Sequence, residues 1–319
     1  MRIFWNIVVL GLLAGALVGC SSEPASTSTP QARLGTNLWP GYEPFYLARE
    51  LGILPSSQVQ LVEYPSASEV IRGFRNGALD AAALTLDEVL LLAQNNIPVK
   101  VVLVLDISAG GDVIMARPEI ERFEDLAGKR IGVESNALGA YVISRALELN
   151  GMALKDVRIE KVAVSGHEAA YRSGQVDAVV TFEPVRTALA RHGAREIFSS
   201  KAIPGEIVDV LVVHEDYLNK HGAQVAAIVD SWFNALRYMD EQRPRAYRII
   251  AERLKLTPAE VAASYQGLIL ADREVNRQQL SGDQALLGDT LKLLDRAMRD
   301  HLLLHREVDL SSLVADQIL

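Results

Sequence analysis

The sequence is poor in cysteine and in catalytic motifs. Cys20 is the single cysteine among 319 residues, so no internal disulfide and no cysteine-pair metal site can form. The sequence also contains no His/Glu metal-binding helix, no phosphate-binding Gly-rich loop that ends in Lys, and no serine nucleophile elbow. The six histidines are scattered, and only His167 lies at a turn expected to face a cleft. We therefore expect neither an enzyme nor a cofactor nor a metal.

An excess of basic residues is missing as well. The chain has 32 Lys and Arg residues against 40 Asp and Glu residues, which gives a formal charge of −8. An acidic chain of this kind lacks the positive surface that nucleic acids require. Beyond residue 19 no apolar run is long enough to span a bilayer. These absences exclude a nucleic-acid partner and a transmembrane span in the body of the protein.

The amino-terminal stretch predicts export. Arg2 provides a positive start, residues 7–17 are apolar apart from small residues, and Leu17-Val-Gly-Cys20 ends a small-residue cleavage site. This pattern resembles the bacterial lipobox, which implies a signal peptide over 1–19 and lipidation of Cys20. The alternative is an ordinary signal peptide followed by a free buried cysteine. Residues 20–31 then form a lipidated, Ser/Thr/Pro-rich tether, which would hold the protein on a bacterial membrane facing the periplasm or the cell exterior.

An internal repeat organises the rest of the chain. The segment FRNGALDA at 74–81 returns as YRSGQVDA at 171–178, about 97 positions later, and Gly35 returns as Gly132 at the same offset. Each copy follows the order helix, Gly, Asp at the turn, small-residue strand. Strands that alternate with helices predict an α/β fold with mainly parallel sheets flanked by helices. One repeat of this length predicts two similar lobes with a cleft between them.

A resemblance to a known family rests on the motif Trp39-Pro-Gly-Tyr-Glu-Pro44 between a strand and a helix. It continues through Asp112-Val-Ile-Met-Ala-Arg117, residues 126–133 and Thr181-Phe-Glu-Pro184. The combination closely resembles solute-binding proteins of the nitrate, sulfonate, taurine and thiamine-precursor branch, which serve ABC importers. The resemblance covers nearly all of the chain after the tether. It implies a two-lobed type II periplasmic-binding-protein fold in which two crossover strands form the hinge.

The boundaries of the two lobes follow from the expected crossovers. We expect lobe 1 to comprise residues 32–107 plus 208–319, and lobe 2 to comprise residues 108–207. The helical carboxyl-terminal part, from Gln224 onward, should complete lobe 1 and be structural. Ligands of such sheets lie beyond the carboxyl ends of the strands, which directs the search for the site to those ends.

Candidate ligand-binding residues lie at these strand ends and at neighbouring helix starts. Trp39 and Tyr42 could stack on a ligand or could instead pack beneath their loop. Asp106 and Glu183 end strands on opposite lobes and could touch ligand, cap a helix or brace the hinge. The remaining candidates are neutral hydrogen-bonding groups at strand ends or helix starts: Ser66, Thr85, Ser135, Asn136 and Ala137.

The predicted function is that of an extracytoplasmic solute-binding component of an ABC importer, a monomer that closes on a small molecule and delivers it to the permease and ATPase subunits. A carboxylate from each lobe favours an amine, an amidine or an aminated ring. No Arg or Lys stands at a predicted strand end, but a sulfonate- or nitrate-type anion stays the alternative ligand, because the resemblance implies that helix starts alone can hold sulfonate-type anions. Two further functions stay open: a ligand-sensing lipoprotein for a membrane receptor, and an enzyme of thiamine-pyrimidine synthesis, whose Cys-rich motif is missing here.

Overall fold

The computed structural model describes residues 30–134, 138–281 and 285–315. The predicted signal peptide, the lipidation site Cys20 and the candidate site residues Ser135, Asn136 and Ala137 lie outside the described residues. In the described part no helix is both long enough and apolar enough to cross a membrane.

The described chain alternates strands and helices. Its strands are β1 (Ala32–Asn37), β2 (Val59–Tyr64), β3 (Ala81–Thr85), β4 (Val99–Ser108), β5 (Val113–Ala116), β6 (Arg130–Val133), β7 (Arg158–Lys161), β8 (Ala178–Thr181), β9 (Arg195–Ser199), β10 (Val208–His214) and β11 (Leu268–Leu270). Its α-helices are α1 (Glu43–Glu50), α2 (Ala67–Arg75), α3 (Leu86–Ala93), α4 (Leu138–Leu149), α5 (His167–Arg172), α6 (Val185–Arg191), α7 (Glu215–Glu241), α8 (Arg243–Leu254), α9 (Pro258–Tyr265), α10 (Arg273–Leu280) and α11 (Leu286–Asp300).

The strands form two sheets, which define lobe 1 and lobe 2. The lobe 1 sheet has the order β2-β1-β3-β10-β4-β11, and the lobe 2 sheet has the order β7-β6-β8-β5-β9. Strands β1 to β4 run in one direction, whereas β10 and β11 run against them; in lobe 2 only β5 runs against the other strands. The chain crosses between the sheets after β4 and returns after β9. The predicted two-lobed α/β fold is confirmed.

The sequence repeat corresponds to one substructure built twice. Gly77 and Gly174 leave helices α2 and α5 with φ of +71° and +77°, a conformation that favours glycine. The Asp that follows each glycine accepts from an Arg at the start of the neighbouring strand. The backbone N–H of Arg33 lies 2.9 Å from Asp80 Oδ2, and that of Arg130 lies 2.9 Å from Asp177 Oδ2. The repeat therefore sets the register of β1 on β3 and of β6 on β8.

Helices cover both faces of the lobe 1 sheet. On one face Phe45 of α1 packs against the fully buried Trp232 of α7, with ring centroids 5.0 Å apart. Helices α3, α10 and α11 bury their apolar sides, including Leu287 and Leu294, on the other face. Carboxyl-terminal helices therefore pack on the lobe 1 sheet. The long helix α7 begins before Gln224, at Glu215, and the short edge strand β11 was not predicted.

Candidate ligand-binding cleft

A cavity lies where the strand ends of the two lobes meet. Its volume is about 40 Å³ in this conformation. A single water requires roughly 10–15 Å³, so the cavity has room for only a few water molecules. Its lining residues are Asn37, Trp39, Tyr42, Ala67, Thr85, Glu88, Asp112, Glu134, Leu138, Gly139, Val142, Val164, His167, Val180, Thr181, Phe182 and Asp209.

The lobes touch each other around this cavity. Trp39 of lobe 1 meets Phe182 of lobe 2 edge to face, with ring centroids 5.2 Å apart. The backbone N–H of Ser68 in lobe 1 donates to Glu134 Oε1 in lobe 2 at 2.8 Å. In the opposite direction, the N–H of Leu138 in lobe 2 donates to Glu88 Oε1 of lobe 1 at 3.3 Å. A ligand larger than a few waters therefore needs these contacts to part before it can enter.

Three polar residues lie side by side at the lobe 1 edge of the cleft. In the sheet register Asp209 of β10 is opposite Thr85 of β3 on one side and Asp106 of β4 on the other. Two aromatic residues of the 39–42 loop donate to these aspartates: Trp39 Nε1 lies 3.1 Å from Asp106 Oδ2, and the Tyr42 hydroxyl donates to Asp209 Oδ1. Like charges directly opposite each other destabilise a sheet, so this pair of aspartates requires compensation.

The loop that brings Trp39 and Tyr42 to the aspartates depends on Gly41. A Cβ on Gly41 would lie 1.9 Å from Asp106 Oδ2 and 2.3 Å from Trp39 Nε1. Neither distance is possible for a real side chain. The glycine between the two aromatic residues therefore allows the backbone to approach the buried carboxylate.

Burial dominates the protonation of the carboxyl groups in the cleft. Loss of hydration raises the pKa of Asp106 to about 8 and that of Asp112 to about 7. Burial, and next the charge of Asp87, raise the pKa of Glu88 to about 8. Burial and then the charge of Asp106 raise the pKa of Asp209 well above its ordinary value. Each of these groups gains free energy from a proton or from a nearby cation.

Two carboxylate oxygens beside the cavity have no hydrogen-bond partner among the described residues. They are Asp106 Oδ1 and Asp112 Oδ2, and their residues are at most 3% exposed. A buried carboxylate oxygen without a donor costs free energy, and native proteins rarely keep one without a functional reason. A positively charged donor in the cavity would pair with Asp112, which lines it, whereas Asp106 lies beneath the lining.

No fixed positive charge balances these carboxylates. The lining, in so far as the structure describes it, contains neither Arg nor Lys. Its one imidazole, His167, is neutral because burial lowers its pKa to about 4. The Nε2 of His167 lies 3.1 Å from the carbonyl oxygen of Val162 and must donate to it, so Nδ1 accepts from Thr181 Oγ1 at 3.2 Å. His167 is thus an uncharged part of the cleft wall, and two hydrogen bonds fix its orientation.

Three of the sequence-predicted residues, Trp39, Tyr42 and Thr85, line the cavity. Asp106 lies beneath Trp39, buried and in contact with the lining. Ser66 is buried at the start of α2, where its Oγ accepts from Glu69 N at 3.4 Å, so it acts as a helix cap at the rim.

The surroundings of Glu183 differ from those expected of a ligand-binding carboxylate on the lobe opposite Asp106. It is absent from the described lining, and its carboxylate accepts from the N–H and the hydroxyl of Thr187 at 3.1 and 3.0 Å, in the first turn of α6. Glu183 follows a strand end, as predicted, but its carboxylate is hydrogen-bonded to the first turn of the next helix. The carboxylates that join Asp209 in the lining from beyond the lobe 1 sheet are instead Glu88 in α3, Asp112 in the crossover and Glu134 after β6.

Four functional candidates were missed from the sequence: Asp112, Asp209, Glu88 and Glu134. Asp209 is the one charged residue in the apolar run 208–213, and such an interruption is a signal that could have been used. Glu88 sits in the first turn of α3, beside the strand-end residue Thr85. Glu134 directly precedes the helix start that was singled out, and it was left aside in favour of its neutral neighbours.

The chain belongs to the NMT1-like family, which matches residues 25–255. An Escherichia coli protein named for binding aliphatic sulfonates is 24% identical over 281 residues, which is 82% of each chain. The taurine-binding periplasmic protein of the same organism is 24% identical over 177 residues, covering 54% of this chain and 55% of that protein. Both relatives are binding proteins by name.

Solved structures share the fold. The alkanesulfonate-binding protein of Xanthomonas axonopodis pv. citri, bound to MOPS, superimposes with a TM-score of 0.77 at 18% identity, covering 91% of this chain and all of that one. The predicted resemblance to solute-binding proteins of this branch is confirmed.

Proposed function

We propose that this protein is the extracytoplasmic solute-binding component of an ABC importer and that its ligand is a small organic cation. The observation that carries the choice of ligand is the cluster of carboxyl groups in the cleft, Glu88, Asp112, Glu134 and Asp209, with Asp106 beneath it and no basic side chain in the described lining. The relatives support the class of protein.

Electrostatics supports a cation in this cleft. A charge pair about 4 Å apart at an effective dielectric constant near 20 is worth about 4 kcal/mol. An ammonium or amidinium group beside Asp112 would gain such energy from the ionised carboxylate, less the cost of removing the proton that burial favours, and would donate to its unpartnered oxygen. The sulfonate group of a taurine-like ligand would instead meet several carboxylates and no fixed positive charge.

The aromatic walls favour an organic cation. Trp39, Tyr42 and Phe182 surround the cavity, and aromatic faces attract ammonium and amidinium groups. The described residues contain no group of three or more His, Cys, Asp or Glu side chains arranged to hold a metal ion. An amine, an amidine or an aminated ring fits both observations.

The mechanism follows from the two-lobed arrangement. An open form admits the ligand, and contacts from both lobes then favour the closed form, which the permease recognises. The proposed hinge comprises the two crossovers, where Ser108 N donates to the carbonyl of Ile207 and Ser200 N to that of Asp112. We propose lobe boundaries at 107/108 and 207/208, beside these two crossovers. We further propose that the protein is exported and held at the membrane by a lipid on Cys20.

A second candidate is a sulfonate or nitrate anion. The relatives named for sulfonate and taurine favour it. Carboxyl groups with raised pKa values could also donate hydrogen bonds to an anion while they are protonated. The two candidates differ in sign: affinity for a cation should rise with pH between 6 and 8, whereas affinity for an anion should fall.

Calorimetric titration at pH 6 and pH 8 tests the proposal. Protein stripped of ligand is titrated with benzylamine, benzamidine and an aminopyrimidine, and with taurine, methanesulfonate and nitrate. We expect at least one cationic compound to bind, with higher affinity at pH 8 and with proton release that marks the ionisation of the raised carboxyl groups. Binding of sulfonates alone, with affinity that falls as the pH rises, would refute the cationic ligand while leaving the class of protein intact.

A further inference from the structure

Two carboxylate side chains reach across the cleft, one from each lobe. Each accepts a hydrogen bond from the first turn of a helix in the other lobe. Glu134, at the end of β6 in lobe 2, accepts from Ser68 N in the first turn of α2 in lobe 1. Glu88 of lobe 1 accepts from Leu138 N, at the first residue of α4 in lobe 2. Glu88 is 1% exposed and Glu134 is 9% exposed. Each lobe thus supplies an anion to the other lobe's helix.

Helix starts of this kind are ready anion sites. The first backbone N–H groups of a helix have no acceptor within the helix, and the helix dipole adds a partial positive charge there. In this cavity they are the strongest attractions for an anion, because the described lining has no Arg or Lys. At each of them one N–H, that of Ser68 or that of Leu138, already donates to a carboxylate of the other lobe.

The atoms left without partners point to the opposite ligand charge. Asp112 Oδ2 in the lining and Asp106 Oδ1 beneath it belong to buried residues and have no donor among the described groups. One described donor at each of the two helix starts is therefore used within the protein, whereas charged acceptors remain. An anionic ligand would have to displace a buried carboxylate before it could bind the N–H of Ser68 or of Leu138.

We propose that Glu134 and Glu88 are specificity-determining residues: as built-in anions at the helix starts of α2 and α4, they exclude sulfonates and other anions from the cleft. This inference rests on the proposed function in taking the cavity as the ligand site. It adds that the preference against anions resides in these two side chains and can be removed.

The test is anion binding by Glu134 variants of the full exported chain, measured by calorimetry with methanesulfonate and nitrate. Glu134→Ala frees the helix start of α2, and Glu134→Gln removes the charge while leaving an acceptor there. We expect Glu134→Ala to bind methanesulfonate at least about tenfold more tightly than the unmodified protein, with Glu134→Gln in between. Glu88→Gln should act in the same direction from the other lobe.

A matched control is Glu69→Ala, which removes a carboxylate from the same first turn of α2 but outside the described lining of the cavity. It should leave methanesulfonate binding unchanged. If variants that still bind benzylamine or benzamidine gain no affinity for either anion, the role of Glu134 is refuted and the cationic ligand stands. If the unmodified protein already binds methanesulfonate tightly, both the exclusion of anions and the cationic ligand are refuted.

Discussion

The carboxylates at the two ends of the strands have opposite surroundings. At the strand starts, Asp80 and Asp177 each accept three hydrogen bonds from an Arg, two of them from the guanidinium group. Burial alone would raise the pKa of Asp80, but the hydrogen bonds from Arg33 outweigh it and lower that pKa. At the cleft end, Asp106 and Asp209 lie opposite each other on neighbouring strands, and the described lining of the cavity contains no Arg or Lys.

The difference indicates that arginines pair with the carboxylates that stabilise the fold. The described lining of the cleft, where we propose that the ligand binds, contains none. The repeat builds the Arg–Asp pair twice, in both lobes, at the edge far from the cleft. The cleft edge is not repeated: its acidic residues come from β4, β10, α3, the first crossover and the end of β6. A concentration of buried carboxyl groups without a cation at one edge is better explained by a missing partner than by a general tolerance of buried charge.

The largest effect should come from neutralising an unpaired carboxylate. Asp112→Asn should weaken binding of the best cationic compound by about 3 kcal/mol, more than about a hundredfold, because a buried charge pair loses one member. Its matched control, Asp177→Asn, changes a paired carboxylate and should leave affinity within about twofold. Calorimetric titration measures both. Equal losses in the two variants would remove the distinction between the two regions.

Stability of the ligand-free protein should respond with opposite signs in the two regions. Asp80→Asn should destabilise by about 1–2 kcal/mol, because Arg33 loses its charged acceptor. Asp106→Asn should stabilise by about 1 kcal/mol at pH 8, because it relieves the repulsion from Asp209. Urea unfolding of the two variants beside the unmodified protein gives these values. Destabilisation by Asp106→Asn would show that its charge is already compensated.

The pH profile of stability should reflect both kinds of carboxylate. Asp106, with a pKa of about 8 in the fold and of about 4 when unfolded, binds more protons in the folded state, so stability falls as pH rises from about 4 to about 8. The slope for one such group is at most about 1.4 kcal/mol per pH unit. Asp80 and Asp177 have lowered pKa values, so their contribution is lost only as pH falls below about 4.

Calorimetric melting across this range checks the profile. The double variant Asp106→Asn, Asp112→Asn should flatten the decline above about pH 4 and leave the acid side unchanged. A saturating cationic ligand should raise the melting temperature most near pH 8, where the empty cleft is most strongly charged. A profile that rises from pH 5 to pH 8 in the ligand-free protein would contradict the raised pKa values.

The fold was more predictable from the sequence than the site because repeats and periodic patterns report on it. FRNGALDA and its second copy predicted both lobes, including the Asp at each strand start. Asp209 escaped notice because one acidic residue within an apolar strand leaves no periodic signal. Glu183 was ambiguous because a strand-end carboxylate either faces the cleft or caps the next helix, and only the three-dimensional position of Thr187 decides between these. Strand β11 has three residues, too few for a pattern.

The smallest expected effect tests whether Asp106 acts from beneath the lining. Trp39→Phe keeps an aromatic wall against Phe182 but removes the indole N–H that donates to Asp106 Oδ2. Without that donor the pKa of Asp106 should rise further above about 8, so that a still smaller fraction of the carboxyl group is ionised at pH 7 and it attracts a cation less. We expect affinity to fall about fivefold at pH 7, which corresponds to about 1 kcal/mol, and to recover in part at pH 9.

Tyr42→Phe is the comparison, because it removes the donor to Asp209 in the same loop. Titration of both variants at the two pH values separates charge from shape. A loss for Trp39→Phe that is equal at pH 7 and pH 9 would mean that the indole contributes surface alone. In that case Asp106 serves the fold, as Asp80 and Asp177 do. Only the carboxylates that line the cavity directly would then attract the ligand.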